Sequence, residues 1–493
     1  MDPRFRGDGV LAVIPAKAGI HRPRLAPREP VASLPMPDSK LPRRLGFLST
    51  TAVLVGSTIG SGIFRSPAGI ADRLPGPLPL MIAWVAGGLF ALCGALSLAE
   101  VAGAFPHTGG LFVYLREGWG RLTAFLFGWA ELVIIRAAAL GAIATTFAEY
   151  LLRVLGYDPT IPPYDWYVHL VAAVAIFVVA VFNYVGLRWG SLVQNITTVG
   201  KYGALLFIII LAFAIGLPHT GGHFTPAVPE GSFSMTAFGL ALVSVLWAYD
   251  GWEDVTFVGG EVKNPRRNLP WAIVAGTLAV VVIYLLANLA YLAVLPVETV
   301  RHSPLVAAAA AERIMGTPGV IFVASTVMLS TFGTLNGSVL TSPRIFFAMA
   351  DEGLFFRKVA SVHPRFQTPY VAIWLAAALG IAFVLVRDFE QLADAFVIAI
   401  VPFLALSVAS LFVLRRRADY DPPFRVPLYP VVPALFVLAT ASLLVNAIVD
   451  PGTRWSTVAV LGAVLVGIPV YYLTVGRTKE LRGSPTRALD SGE

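Results

Sequence analysis

The chain has 493 residues, of which 57% are hydrophobic and 13% charged, with a formal net charge of +7. Soluble domains carry roughly 25% charged residues, so this composition excludes a water-soluble globular protein. The single cysteine, Cys93, excludes an intrachain disulfide and a cysteine-rich ectodomain.

Residues 1–45 are rich in Pro and Arg and have no long apolar core. They read as a disordered cytoplasmic segment without a cleavable signal. Its opening stretch resembles translated intergenic repeat, so Met36 is expected to be the true start. From residue 46 onward, apolar blocks recur that are long enough to cross about 30 Å of hydrocarbon. They cover 46–72, 79–104, 121–153, 166–187, 190–217, 235–260, 271–295, 319–347, 369–387, 389–414, 428–449 and 455–475. The fold class expected is an all-α membrane protein of about twelve spans. Residues 46–414 would form a ten-helix transport core, 415–475 the last two helices and 476–493 a cytoplasmic tail. Ser303 to Gly316 is too short and mixed to span and should form an outer-surface helix. With the N-terminus inside, basic residues favour the inner loops by about three to one, the bias that orients membrane proteins. The excess positive charge therefore speaks for a bilayer and not for nucleic acid.

Two spans are interrupted. The first carries Gly56, Gly60 and Gly62, followed by Pro67; the sixth carries Gly251 beside Asp250. An unpaired backbone group in hydrocarbon costs several kcal/mol, so unwound stretches survive only beside a cavity or ligand. Matching interruptions in two halves point to a transporter's substrate site. Spans one and six stand five apart, as in two inverted five-helix repeats with the first helix of each broken. Freed amides at a half-helix start suit a carboxylate, and freed carbonyls suit an ammonium group. An amino acid zwitterion carries both. Packing of Gly56 on Gly60 as a small-xxx-small pair is the structural alternative.

The stretches "GSTIGSGIFRSP" (Gly56 to Pro67), "AEVAGAFPHTGGLFVYL" (Ala99 to Leu115), "ELVIIRAAA" (Glu131 to Ala139), "VQNITTVGK" (Val193 to Lys201), "WAYDGWEDVTFVGGEVKNPRRNLPWAI" (Trp247 to Ile273) and "STFGTLNGSVLTSPRIFFAMA" (Ser330 to Ala350) occur in this order. In them the chain resembles the amino acid–polyamine–organocation superfamily, specifically the L-type amino acid transporter branch and its bacterial relatives. The resemblance implies a five-plus-five inverted repeat with two peripheral C-terminal helices, alternating access and sodium-independent transport. It places Ile59, Gly60, Ser61 and Gly62 at the substrate carboxylate. Trp247, Ala248 and Tyr249 would offer carbonyls to the amino group, with Trp247 also the aromatic gate. Lys201 matches the lysine that replaces a sodium ion in sodium-coupled cousins.

Lys201 lies about 16 Å into its span at 1.5 Å per residue, where an isolated charge is expensive. Ser330 and Thr331 are its expected partners, with unwound carbonyls of span one. Asp250 either caps a half-helix, the favoured reading, or welcomes cationic side chains. Glu131 and Arg136 are expected to pair structurally. Glu100 is assigned with the Gly109–Gly110 turn to an inner gate. The loop after span three has no cysteine, which excludes a disulfide-linked heavy chain, and the chain is expected to work alone as a monomer. The histidines lack ligand spacing and no phosphate-binding loop occurs, so neither metal nor other cofactor is expected.

The function expected is exchange of neutral L-amino acids across a bacterial inner membrane, with both termini cytoplasmic. The alternative is proton-coupled uptake of amino acids or polyamines. A polytopic membrane enzyme ranks lower, for want of a polar cluster at one face. A channel ranks lower too, because it needs a continuous polar pore.

Overall fold

The computed structural model describes residues 43, 45–107, 109–185, 202–351, 353–356, 358–359, 361–366 and 368–476. The first half comprises α1 (Phe47–Thr58), α2 (Gly62–Arg73), α3 (Pro77–Ala104), α4 (Leu111–Trp119), α5 (Arg121–Val154), α6 (Tyr164–Val185) and α7 (Tyr202–Thr220). The second half opens with α8 (Met235–Tyr249) and, after an unwound stretch, a 3-10 segment (Asp254–Glu261). Then follow α9 (Pro265–Val294), α10 (Val297–Arg301), α11 (Val306–Met315), α12 (Thr317–Asp351), α13 (Tyr370–Val384), α14 (Phe389–Leu414), α15 (Val431–Val449) and α16 (Arg454–Val475).

Among the described residues, nine helices are long and apolar enough to cross a membrane, and α1 with α2, bent by 43° at their break, form a tenth. The helix α13 is apolar but shorter, at 15 residues, and α8 with its 3-10 continuation is a second broken element. Each apolar block of the sequence coincides with one of these elements, although the start of the fifth block lies outside the described residues. The surface helix expected between Ser303 and Gly316 is α11.

Helices five spans apart pack on one another: α2 on α8, α3 on α9, α5 on α12 and α6 on α13. That is the pairing two interlocked five-helix repeats produce. In the most apolar stretch of α5, 78% of positions are buried inside the protein, and 72% in α14, so these two helices form the core. In α16 the share is 6%, which puts that helix on the lipid-facing rim. The helix α4 occupies what the sequence reads as a loop. Its Leu111–Leu115 stretch is buried, and it packs on α14. Nine residues cannot cross a bilayer, so an apolar run of this length is legible only as a buried segment.

Candidate functional site

The helix α1 stops at Thr58, and Ile59, Gly60 and Ser61 separate it from α2. Ile59 leaves the helical region at φ −74°, ψ 85°, and the Gly60 amide turns back to the Thr58 carbonyl at 2.8 Å. The first amides of α2 have no preceding turn to bond to, and the positive end of its dipole points into the break. On the other repeat, α8 stops at Tyr249. Asp250 is extended, at φ −61° and ψ 154°, and Gly251 takes φ 99°, a conformation open to glycine and strained for other residues. The last carbonyls of α8 lose their helical partners there.

The two breaks touch. A Cβ on Gly62 would lie 2.4 Å from the Ala248 Cα, and one on Gly251 would lie 3.2 Å from the Thr58 Cα. Backbone of one broken span thus packs on backbone of the other at two points, which only glycine permits. Gly60 faces the other way. A Cβ there would meet nothing closer than the Thr334 Cγ2 of α12, at 3.9 Å. The donors of α2 and the acceptors of α8 therefore lie at the same pair of breaks, where Gly60 has room for a Cβ at ordinary contact distance. Bare amides and bare carbonyls at one place are complementary in charge to a carboxylate and an ammonium group carried on one carbon.

Around the break, Tyr284 of α9 donates to the Thr58 carbonyl at 2.9 Å and so caps the orphaned end of α1. Trp247 is buried, edge-on to Phe389 at 6.0 Å and to Phe396 at 5.0 Å, both on α14. The Tyr249 hydroxyl donates to the Trp84 carbonyl of α3 at 3.2 Å. Asp250 is the residue that ends α8, not the cap of the segment that follows. That cap position belongs to Glu253, which makes no side-chain capping bond. The capping role expected for Asp250 is therefore not what the fold uses, because the unwound stretch runs three residues further than a one-residue kink. Glu131 and Arg136 do pair, at 3.1 Å, across a π turn in α5 (Glu131–Ile135).

Ser330 and Thr331 are buried on α12. Thr331 donates to the carbonyls of Val327 and Met328 within its own helix, at 2.9 and 3.0 Å, and the Ser330 hydroxyl has no partner among the described residues. Lys201, expected beside them, lies outside the described residues. Glu100 is fully buried but turns toward the far end of α14, accepting from Arg415 at 2.8 and 2.6 Å. Gly110 instead packs on Thr256 of the 3-10 segment. Glu100 and Gly110 thus have different direct neighbours.

Sequence reasoning missed an ion cluster one turn beyond the break. Arg65 of α2 donates to Glu149 of α5 at 3.0 Å and to Glu390 of α14 at 2.7 Å, and its guanidinium lies over the Phe389 ring at 4.8 Å. Arg73, two turns on, reaches Asp394 of α14 at 3.0 Å and Ser244 of α8 at 2.6 Å. At the other end of the same broken span, Leu45 exchanges backbone hydrogen bonds with Glu261 at 3.0 Å and Lys263 at 2.8 Å, tying the start of α1 to the end of the 3-10 segment. The available signal was that Arg65 and Glu149 both sit inside apolar blocks, where a charge must find a partner.

The amino acid permease family model matches residues 45–469 of the chain. The chain is 33% identical over 439 residues to the serine/threonine exchanger SteT of Bacillus subtilis, covering 88% of this chain and 97% of that protein. It is 32% identical over 438 residues to the human b(0,+)-type amino acid transporter 1, covering 89% of each. To the human cystine/glutamate transporter it is 32% identical over 441 residues, covering 88% of this chain and 86% of that one.

Proposed function

We infer the function from one premise: the chain belongs to the amino acid permease family, within the amino acid–polyamine–organocation superfamily and related to its L-type amino acid transporters. It is a multi-pass membrane protein that exchanges neutral L-amino acids across a bacterial inner membrane by alternating access, without sodium and without a disulfide-linked partner. The observation that carries this reading is the meeting of two broken spans, backbone on backbone at Gly62 with Ala248 and at Gly251 with Thr58. The exchange mode rests on relatives such as SteT, whose name is that of an exchanger. The Trp247–Phe389–Phe396 layer is the gate on the α2 side, with the termini on the opposite, basic side, which is cytoplasmic. By the family resemblance, Lys201 is assigned the role that a sodium ion has in sodium-coupled relatives.

Proton-coupled uptake has one observation in its favour. Asp250, Glu253 and Asp254 lie together at the second break, and one oxygen of the buried Glu253 carboxyl has no hydrogen-bond partner among the described residues. Counterflow in proteoliposomes separates the readings. Exchange predicts that unlabelled neutral amino acid inside accelerates entry of labelled amino acid several-fold, with no sodium present and with the proton gradient collapsed. Entry that stops when the proton gradient is removed supports coupling instead. Flux indifferent to internal substrate contradicts exchange. A panel of unlabelled amino acids and polyamines as competitors then defines the substrate.

A further inference from the structure

The loop between α14 and α15 carries Arg415, Arg416, Arg417 and Arg425. Two of these charges are neutralised. Arg415 is bound to Glu100 and lies over the Tyr429 ring at 3.8 Å. Arg417 reaches Glu117 of α4, whose backbone carbonyl also accepts from it. Glu100 is saturated: besides Arg415 it accepts from the Val426 amide at 2.7 Å and from the Tyr420 hydroxyl at 3.4 Å. Burial, reinforced by Glu100, raises the Tyr420 phenol well above its ordinary range, so it stays a neutral donor. Arg416 and Arg425 have no acidic partner among the described residues, and both are exposed. Both line a cavity of about 370 Å³ whose floor is the Glu100–Arg415 pair. The cavity thus holds two uncompensated positive charges, and Tyr420 and Tyr429 also line it.

The depth of this cavity follows from its neighbours. Trp271, 54% exposed at the start of α9, stands edge-on to Phe424 of the same loop at 5.8 Å. Leu428 is 77% exposed and Val431 54% exposed beside Tyr429. Exposed Trp next to exposed aliphatic side chains marks the level where acyl chains meet headgroups. Guanidinium pairs at that level suit a phosphate, whose oxygens match the Arg fork. We propose that this cavity binds the phosphate-bearing headgroup of an anionic phospholipid in the leaflet facing the basic loops. Positive charge that only set topology would need no cavity. It would also not be expected to leave two arginines unpaired at its mouth while the two beside them are bound to glutamates.

The proposal rests on membrane embedding and is independent of the substrate. Its test uses the full chain in nanodiscs of phosphatidylcholine with and without phosphatidylglycerol, read by native mass spectrometry and by melting temperature. The wild type should retain phosphatidylglycerol over phosphatidylcholine and melt higher in its presence. R416Q/R425Q should lower that preference by about tenfold or more, since each basic residue near an anionic surface contributes on the order of fivefold. R416K/R425K should keep most of it. K263Q/R267Q, a change of equal charge outside the cavity at two exposed residues, should keep all of it. Unchanged preference in R416Q/R425Q overturns the site. So does equal loss in K263Q/R267Q, which would reduce the effect to general charge. Full stabilisation by inorganic phosphate in phosphatidylcholine discs would also overturn it, in favour of a soluble anion.

Discussion

Gly62→Ala is expected to lower counterflow by about a hundredfold or more while the protein still reaches the membrane. The new methyl carbon would lie 2.4 Å from the Ala248 Cα, 2.9 Å from its Cβ and 3.2 Å from its amide nitrogen. Two of these atoms are backbone, so no rotamer change relieves the clash. Alanine in a helix gains about 1 kcal/mol over glycine, and overpacking costs about 1–3 kcal/mol, so the net stability loss is small. Function suffers more, because the relief available is to push α2 and α8 apart. A misplacement of about 1 Å between reacting partners costs on the order of a hundredfold, and the same sensitivity applies to a ligand held between two helix ends. Gly462→Ala on α16, where nothing lies within 4 Å, is the matched control; it should leave the rate unchanged and raise the melting temperature slightly, by the same helix preference. A Gly62→Ala variant with wild-type counterflow would mean that the two breaks need not touch.

Arg65→Met is expected to lower stability by about 3–5 kcal/mol, the usual cost of leaving a buried charge without its partner. The Glu149 side chain is 9% exposed and Glu390 36%, so Glu149 bears most of the loss. Arg65→Lys should recover only part, since one ammonium group cannot reproduce the fork that holds two carboxylates on different helices. Arg65→Met/Glu149→Met should melt closer to the wild type than Arg65→Met does, because the stranded charge is gone. Melting of the purified variants tests this. The same double variant should still transport poorly, because α2 has lost its polar ties to α5 and α14. If Arg65→Met melts like the wild type, the cluster is ornamental.

The reach of the sequence is clearest at particular residues. Gly60 and Gly251 are legible because glycine in the middle of an apolar span weakens the helix and marks where backbone unwinds or packs closely. The partner of each glycine is not: that Gly62 meets Ala248 and Gly251 meets Thr58 depends on how two helices cross. The Arg65 cluster is hidden for the same reason, its members being 84 and 325 residues apart. Tyr284 reads as one more apolar-face residue of α9, and only the break after Thr58, whose carbonyl it shares with the Gly60 amide, gives its hydroxyl a partner. Asp250 misleads because an Asp beside a break suggests a cap, whereas the unwound stretch continues to Glu253. Glu100 and the Gly109–Gly110 turn are near in sequence, yet the fold sends them to different neighbours.

Substrate protection of a cysteine placed at Gly60 reports whether the ligand sits at the two breaks. The natural chain has only Cys93, so a Cys93→Ala background leaves Gly60→Cys as the sole thiol. A Cβ is accommodated there, with its nearest neighbour at 3.9 Å. In proteoliposomes, a small thiol reagent should label this position, and any amino acid that drives counterflow in the Cys93→Ala protein should slow the labelling at matching concentrations. Labelling that proceeds at the same rate with and without saturating substrate would show that the ligand sits elsewhere.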